Sequence, residues 1–267
     1  MDAPNDACEL GLDIDVWLTF YDEITDEALL ARLRSLLSED ERRQEARYHF
    51  ADDRKRHVVT RSLVRSVLSH YADVSPADWT FSANAFGRPQ IAGAQAGKEA
   101  LRFNVSHTRG LIALGVTRGR ELGVDVEHVS ARRIGTGIAE HFFSPREAAA
   151  LTQVAPERRQ ERFFEYWTLK ESYIKARGMG MSISLDQFSF HFPHPGAVRL
   201  EMQPELGDNQ ARWSFWQYRP ARDYLLAICA ERLGGQAPRV RIHKTVPTVA
   251  VESLTLALLK STEPIAE

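Results

Sequence analysis

Two short segments about forty residues apart constrain this chain more than any other feature. The first, GVDVE, alternates as a strand does, so Asp125 and Glu127 leave the same face. The second, WTLKESYIKA, is typical of a helix, on which Glu171 and Lys175 are neighbours four residues apart. If this strand and this helix meet, three carboxylates lie beside one ammonium group. Carboxylate oxygens suit Mg²⁺, which proteins often share with substrate phosphates, so the two segments predict a magnesium site for a phosphorylated substrate.

Each segment also has a purely structural interpretation. Asp125 and Glu127 could lie on the solvated face of a half-buried strand. Glu171 stands in an aromatic run one turn after Trp167, and a carboxylate beneath an indole needs a cation or a hydrogen-bond partner. An ion pair with Lys175, worth a few tenths of a kcal/mol, would meet that need without a metal. The residues alone leave both interpretations open.

Composition narrows the class of protein. The 267 residues are 43% hydrophobic and 26% charged with a net charge of −2, which is ordinary for a globular protein of one large or two smaller domains. This balance predicts neither nucleic acid nor membrane as a partner. Cys8 and Cys229 lack metal-type spacing and fit a reducing compartment. A signal peptide begins with basic residues, whereas the first Lys or Arg of this sequence is Arg32. We therefore expect a cytoplasmic location.

The order of predicted elements is one strand, three helices, several strands, two helices and several strands. This order suggests an α+β fold with two halves of similar plan, residues 1–117 and 118–235. Residues 236–267 are predicted to be a C-terminal extension of unknown role. Within it, residues 251–259 are predicted to form a short amphipathic helix.

Helix boundaries are marked by capping residues. Ser38 followed by Glu41, and Ser144 followed by Glu147, each form the capping-box pattern that begins a helix. A long helix is predicted from about residue 158 to residue 176, ending at the glycine that follows.

A second group of candidate ligands ends a predicted strand of sequence FNVSHT. The Ser106 hydroxyl and the His107 imidazole can both donate to phosphate oxygens. A nucleophilic serine is disfavoured, because the G-x-S-x-G elbow is missing and adjacent strand residues point to opposite faces. A purely structural strand end remains the alternative.

A basic segment spans residues 42–65. It carries eight Lys or Arg against three acids, a concentrated field that can attract a polyanionic small molecule. The alternative is that most of these residues form the solvated faces of two helices. Gly87 and Arg88 add a further cation in a tight turn of sequence FGRP.

These motifs together resemble the Sfp-type 4′-phosphopantetheinyl transferases, in order and spacing, over roughly residues 12–232. The motifs are GRP, FNVSH, GVDVE, FFS and WTLKESYIKA. The combination of Asp-x-Glu with Trp-x-x-Lys-Glu-Ser-x-x-Lys is highly specific, whereas the Gly-Arg-Pro turn alone is weak. Arg88 departs from the lysine usual in the family but keeps its charge.

The resemblance implies a fold and an activity. The fold would be two similar α+β halves in a pseudo-twofold arrangement, with the ligand site at their interface. The reaction would move the phosphopantetheine arm of coenzyme A to a serine of an apo acyl or peptidyl carrier protein, releasing adenosine 3′,5′-bisphosphate.

The resemblance also implies residue roles. Asp125, Glu127 and Glu171 would hold Mg²⁺, or Mn²⁺ in its place, and Lys175 would neutralise the pyrophosphate. Glu171 would be the general base, with Glu127 as the alternative. The residues expected to contact coenzyme A are Arg47, Lys55, Arg61, Gly87, Arg88, Ser106, His107, Lys170 and Lys175.

The carrier protein is expected near the helix that begins at Ser144 and the one that contains Trp167. Arg158, Arg159 and Arg162 could steer an acidic carrier, or could form only an exposed helix end. Two other functions remain open: a Mg²⁺-dependent nucleotide-pyrophosphate hydrolase, with water in place of serine, and a non-catalytic coenzyme A binding protein. A monomer is expected.

Overall fold

Two β-sheets form the centre of the computed structural model, which describes residues 13–97, 100–131 and 137–262. The longer helices lie on their outer faces. The helices are α1 (Glu27–Ser35), α2 (Glu39–Glu45), α3 (Ala51–Leu68), α4 (Ile138–Phe142), α5 (Pro145–Thr152) and α6 (Pro156–Arg177). The strands are β1 (Ile14–Phe20), β2 (Phe81–Ala83), β3 (Pro89–Ile91), β4 (Leu101–Thr108), β5 (Leu111–Arg118), β6 (Leu122–His128), β7 (Phe188–His191), β8 (Arg199–Met202), β9 (Trp213–Arg219), β10 (Tyr224–Glu231), β11 (Val240–Val246), β12 (Ala250–Leu254) and β13 (Ala257–Ser261).

The first sheet has the strand order β12-β11-β1-β5-β4, and the second has the order β13-β9-β10-β6. β1 and β11 run parallel, and the other neighbours in both sheets run antiparallel. Two small hairpins, β2–β3 and β7–β8, lie outside these sheets. The mixed α+β class predicted from the order of elements is confirmed.

Alternating side chains place each sheet between two apolar layers. In β1, Val16 belongs to a hydrophobic cluster shared by both sheets, whereas Trp17 packs with residues of α3. In β10, Ile228 belongs to the shared cluster and Cys229 packs with residues of α6. The alternation of side chains along each strand therefore gives four layers, in the order helix, sheet, sheet, helix.

The predicted helix ends are confirmed. Ser38 and Ser144 both accept a hydrogen bond from the backbone of a glutamate three residues on, which returns a bond to the cap. The long helix α6 ends at Arg177 and is capped by Gly178, whose left-handed conformation (φ 64°) is the one that glycine adopts after helix ends.

The helix predicted at residues 251–259 is wrong. This stretch forms β12 and β13, because β11 and β9 provide pairing partners for its backbone. Residues 240–261 therefore add two strands to the first sheet and one to the second, instead of standing apart from the sheets. Within the described ranges, no helix is both long and apolar enough to cross a membrane.

Candidate active site

The candidate site lies where the edge strand β4 of the first sheet meets the edge strand β6 of the second. Side chains of β4 accept hydrogen bonds from the backbone of β6. The Asn104 Oδ1 accepts from the Val124 amide (2.9 Å) and the Ser106 Oγ accepts from the Val126 amide (3.3 Å). These bonds fix Asp125 of β6 next to Ser106 of β4.

Gly123 lets β6 lie directly against α6. A Cβ atom at this position would stand 2.0 Å from the Ser172 carbonyl oxygen and 2.4 Å from the Ala176 amide nitrogen. Both are backbone atoms that cannot turn aside, so a close approach of strand to helix requires glycine here. This contact brings the acidic strand within reach of the helix that carries Glu171 and Lys175.

We expect Gly123→Ala to lower the free energy of unfolding by about 1–3 kcal/mol, because the added methyl overpacks β6 against α6. Urea denaturation measures the change. Gly115→Ala in β5 is the matched control, since its Cβ meets only side-chain atoms, those of Val124 and Leu122. Equal unfolding midpoints for Gly123→Ala and the unaltered protein would show that the helix and strand are not held at this distance.

Lys175 is the centre of the polar network. Its Nζ donates to the Asp125 Oδ1 (2.5 Å) and to the Ser106 Oγ (2.8 Å), and Ser106 in turn donates to the same carboxylate oxygen (3.0 Å). The Lys175 side chain is 27% exposed, whereas that of Asp125 is 5% exposed. An ammonium group is therefore held at the surface of a cavity by a buried carboxylate.

The three predicted metal ligands have different environments. Burial, and next the charge of Asp125, raise the pKa of Glu171, while Lys175 opposes the shift. The Glu127 Oε1 accepts a hydrogen bond from the Trp167 indole (3.2 Å). The Asp125 Oδ2 is buried and has no hydrogen-bond partner in the described part of the chain.

A divalent cation would suit these groups, because the donors are hard oxygens and one buried oxygen lacks a partner. Within residues 13–97, 100–131 and 137–262, however, no three acidic, histidine or cysteine side chains stand close enough to hold an ion as they are. Lys175 and Trp167 now bind two of the three carboxylates. The metal role of Asp125, Glu127 and Glu171 stays a prediction that requires their side chains to regroup.

Two adjoining cavities open at this site. The first has a volume of about 690 Å³, with Glu171 and Lys175 on one wall and the Gly87–Arg88 turn on another. The second has a volume of about 340 Å³. Aromatic and apolar residues cover much of the first: Phe86, Val105, Phe142, Trp167, Ile174, Ile183 and Leu185. Pro89, Val105 and Lys175 line both cavities, so Lys175 stands at their junction.

The second cavity is cationic. Arg56, Arg61 and Lys175 line it, and the acid among its lining residues, Asp53, is paired with Arg56 at 2.6 Å. His107 also lines this cavity, whose walls partly desolvate its imidazole ring. This desolvation, and next the charge of Arg56, lower its pKa. The cavity suits an anionic ligand.

Comparisons with known proteins identify the family. The family model of the 4′-phosphopantetheinyl transferase superfamily matches residues 121–229, and that of the 4′-phosphopantetheinyl transferase N-terminal region matches residues 25–117. The 4′-phosphopantetheinyl transferase ffp of Bacillus subtilis is 33% identical over 75% of this chain and 85% of its own length. The chain belongs to the 4′-phosphopantetheinyl transferase superfamily.

Two other members of the superfamily have similar sequence identity to this chain. The 4′-phosphopantetheinyl transferase HetI of Nostoc sp. is 29% identical, and the match covers 87% of this chain and 94% of that protein. The 4′-phosphopantetheinyl transferase Sfp of Bacillus subtilis is 30% identical over 74% of this chain and 84% of its own length. The resemblance drawn from the motifs is therefore confirmed at the level of the superfamily.

The cations of the basic segment, residues 42–65, do not all face the second cavity. Arg61 lines the second cavity, and its contact with coenzyme A stays a prediction. Lys55 lines a separate depression beyond α3, and Arg47 is exposed outside both cavities. Arg56 also lines the second cavity but was missed as a site residue, because five positions separate it from Arg61 and this spacing does not place the two on one helical face.

Arg88 is held by other protein groups. Its guanidinium donates to the Glu121 carboxylate (2.9 Å) and to the carbonyl oxygens of Ala176 and Leu122 (3.1 Å each). These bonds attach the Gly87–Arg88 turn to α6 and β6. The structure thus places Arg88 in the cavity wall, and a direct contact with coenzyme A stays a prediction.

Lys170 is not available to a ligand, which corrects its predicted contact with coenzyme A. The side chain is fully buried, and its ammonium contacts Glu147 (2.7 Å) and donates to the carbonyls of Leu185 and Phe188 (2.6 Å each). Because an ammonium has three donors, all are used. Lys170 instead ties α6 to α5 and to the segment that leads into β7.

Proposed function

We propose that this chain transfers the 4′-phosphopantetheine arm of coenzyme A to a serine of an apo acyl or peptidyl carrier protein, releasing adenosine 3′,5′-bisphosphate. Superfamily membership supports the proposal. The observation that carries it is Lys175, which stands between a cationic cavity and an aromatic one while bound to Asp125. A cytoplasmic location is part of the proposal.

The two cavities suggest how coenzyme A would lie. The bisphosphorylated adenosine fits the cationic second cavity, where Arg56, Arg61 and His107 can donate to phosphate oxygens. The pantetheine arm fits the first cavity along Trp167. The pyrophosphate then lies at the junction, beside the Lys175 ammonium.

In the proposed reaction, the carrier serine Oγ forms a bond to the β-phosphorus. The bond from that phosphorus to the oxygen bridging to the α-phosphate breaks, and the bisphosphate leaves with the electron pair. The serine proton goes to Glu171, whose raised pKa increases its proton affinity. Lys175 stabilises negative charge on the phosphate oxygens from a fixed position.

A Mg²⁺ ion, or Mn²⁺, would supply further charge stabilisation when bound. Asp125, Glu127 and Glu171 would hold it. The support is the partnerless buried oxygen of Asp125 and the oxygen-only donor set.

The carrier is proposed to dock near α5 and α6 as a diffusing partner of a monomeric enzyme. Of the three arginines predicted to steer it, Arg162 pairs with Glu165 (2.7 Å) and Arg159 donates to the Val154 carbonyl (2.8 Å). Arg158 is exposed at the start of α6. Steering by these charges would make association weaken as salt rises.

The decisive experiment is a carrier-loading assay. The protein is incubated with coenzyme A, Mg²⁺ and a panel of apo carrier proteins, and mass spectrometry records the gain of one phosphopantetheine arm. Failure to load any carrier would contradict the proposal. Release of bisphosphate without a carrier would instead support the hydrolase alternative, and Mg²⁺-independent coenzyme binding with no reaction would support the binding protein.

We expect Arg61→Ala to raise the KM for coenzyme A by about tenfold with little change in kcat, because a charge-assisted bond to the ligand is lost. Lys55→Ala is the matched control, since Lys55 lies on the same helix but lines a different depression. Steady-state loading rates at varied coenzyme concentration measure both. Equal KM values for the two variants would place the coenzyme elsewhere.

A further inference from the structure

The segment β11 to β13, here called the strap, closes the second edge of the two-sheet core. β12 is the edge strand of the first sheet and β13 is the edge strand of the second. Only Thr255 and Leu256 separate the two strands, so the chain crosses from one sheet to the other in two residues. Leu254, Leu256 and Leu258 pack against the hydrophobic cluster that both sheets share.

The candidate site lies at the opposite edge. There β4 ends the first sheet and β6 ends the second, joined by the hydrogen bonds of Asn104 and Ser106. Besides the shared cluster and the β5–β6 and β10–β11 connections, the two sheets are thus joined at both outer edges, at one by the side chains of the site and at the other by the strap.

The strap has an ion pair in each half of the fold, and the carboxylate of each pair is buried. In the first sheet, the Arg241 Nε donates to the carboxylate of Asp15, which is fully buried (2.6 Å). In the second, the Lys260 Nζ donates to Glu165 (2.9 Å), and both side chains are less than 10% exposed. Glu165 belongs to α6, the helix that carries Glu171 and Lys175.

We propose that the strap is a positioning element that sets the distance between the two sides of the second cavity. The inference rests on the proposed function. Residues from both halves line the second cavity. Arg61 lies on α3, beside the first sheet, and His107 on β4 of the first sheet, whereas Lys175 lies on α6, beside the second sheet. A ligand that spans both parts binds best when their separation is already correct, and a misplacement of about 1 Å lowers the efficiency of such sites strongly.

The test lengthens the crossover while keeping every residue of the strap. Four Gly and Ser residues are inserted between Thr255 and Leu256, and the matched control carries the same insertion between Pro247 and Thr248, in the turn within the first sheet. Flexible loop extensions cost little free energy, so both variants should fold. We expect the crossover insertion to raise the dissociation constant of coenzyme A by about fivefold or more and the control to leave it unchanged.

A structural readout separates this inference from the proposed function. Spin labels at Arg32→Cys on α1 and Arg158→Cys on α6, in a Cys8→Ser background, report the distance between the halves. We expect the crossover insertion to broaden the distance distribution, whether or not the chain loads a carrier. If four residues impair folding, a single inserted glycine replaces them. An unchanged distribution and unchanged coenzyme affinity in a folded crossover variant overturn the inference.

Discussion

Asp125→Asn is expected to lower the rate of carrier loading about a thousandfold while the fold persists, because it removes several kcal/mol of charge stabilisation. The substitution keeps the shape of the side chain but removes the charge that holds Lys175 at 2.5 Å. It also removes one of the three proposed cation ligands. Single-turnover loading assays measure the rate, and circular dichroism checks the fold.

Asp223→Asn is the matched control for that variant. Asp223 is exposed just before β10, the strand that pairs with β6. Its change should leave loading unaltered. A second readout is Mn²⁺ binding followed by electron paramagnetic resonance, which Asp125→Asn should weaken and Asp223→Asn should not. Normal turnover by Asp125→Asn would falsify the assignment of this carboxylate to the site.

Lys170→Met is expected to lower the free energy of unfolding by about 3–5 kcal/mol, since it leaves the carboxylate of Glu147 buried without its cation. Neither side chain of the pair has any exposed surface. Glu147 also accepts from the amides of Ser144 and Phe190, so its displacement would disturb α5 and β7 as well. Urea denaturation measures the loss.

Two further variants test whether the loss of stability comes from the unpaired buried charge. Glu147→Gln combined with Lys170→Met removes both charges and should recover part of the stability. Lys244→Met breaks the exposed pair with Glu23 and should cost less than about 1 kcal/mol. If Lys170→Met were no more destabilising than Lys244→Met, the buried pair would not hold α5 to α6.

The sequence predicted the elements that carry strong periodicity. The long helix is predicted to run to residue 176 and ends at Arg177, and β6 extends the predicted GVDVE strand by one residue at each end. Capping residues marked the starts of α2 and α5 correctly because their bonds join residues only three positions apart. Local rules suffice where the stabilising partner is local.

Distant partners explain what was missed. Glu147 lies 23 positions before Lys170, and nothing near either residue in sequence marks the pair as buried. Lys55 and Arg56 are adjacent in sequence, yet the direction of each was fixed only by how α3 packs. The strands at 250–261 depend on β9 and β11 for their pairing, so their short apolar pattern was ambiguous by itself.

The parallel pairing of β1 with β11 has a consequence for biosynthesis. Ile14 stands opposite Val240, so one side of the first strand finds its partner only after some 226 further residues have been made (from position 14 to position 240). At ribosomal speeds of roughly 5–20 residues per second, the nascent chain carries that open edge for about 10–45 s. Unpaired strand edges recruit other chains, so the open edge of β1 is an aggregation hazard during this interval of synthesis.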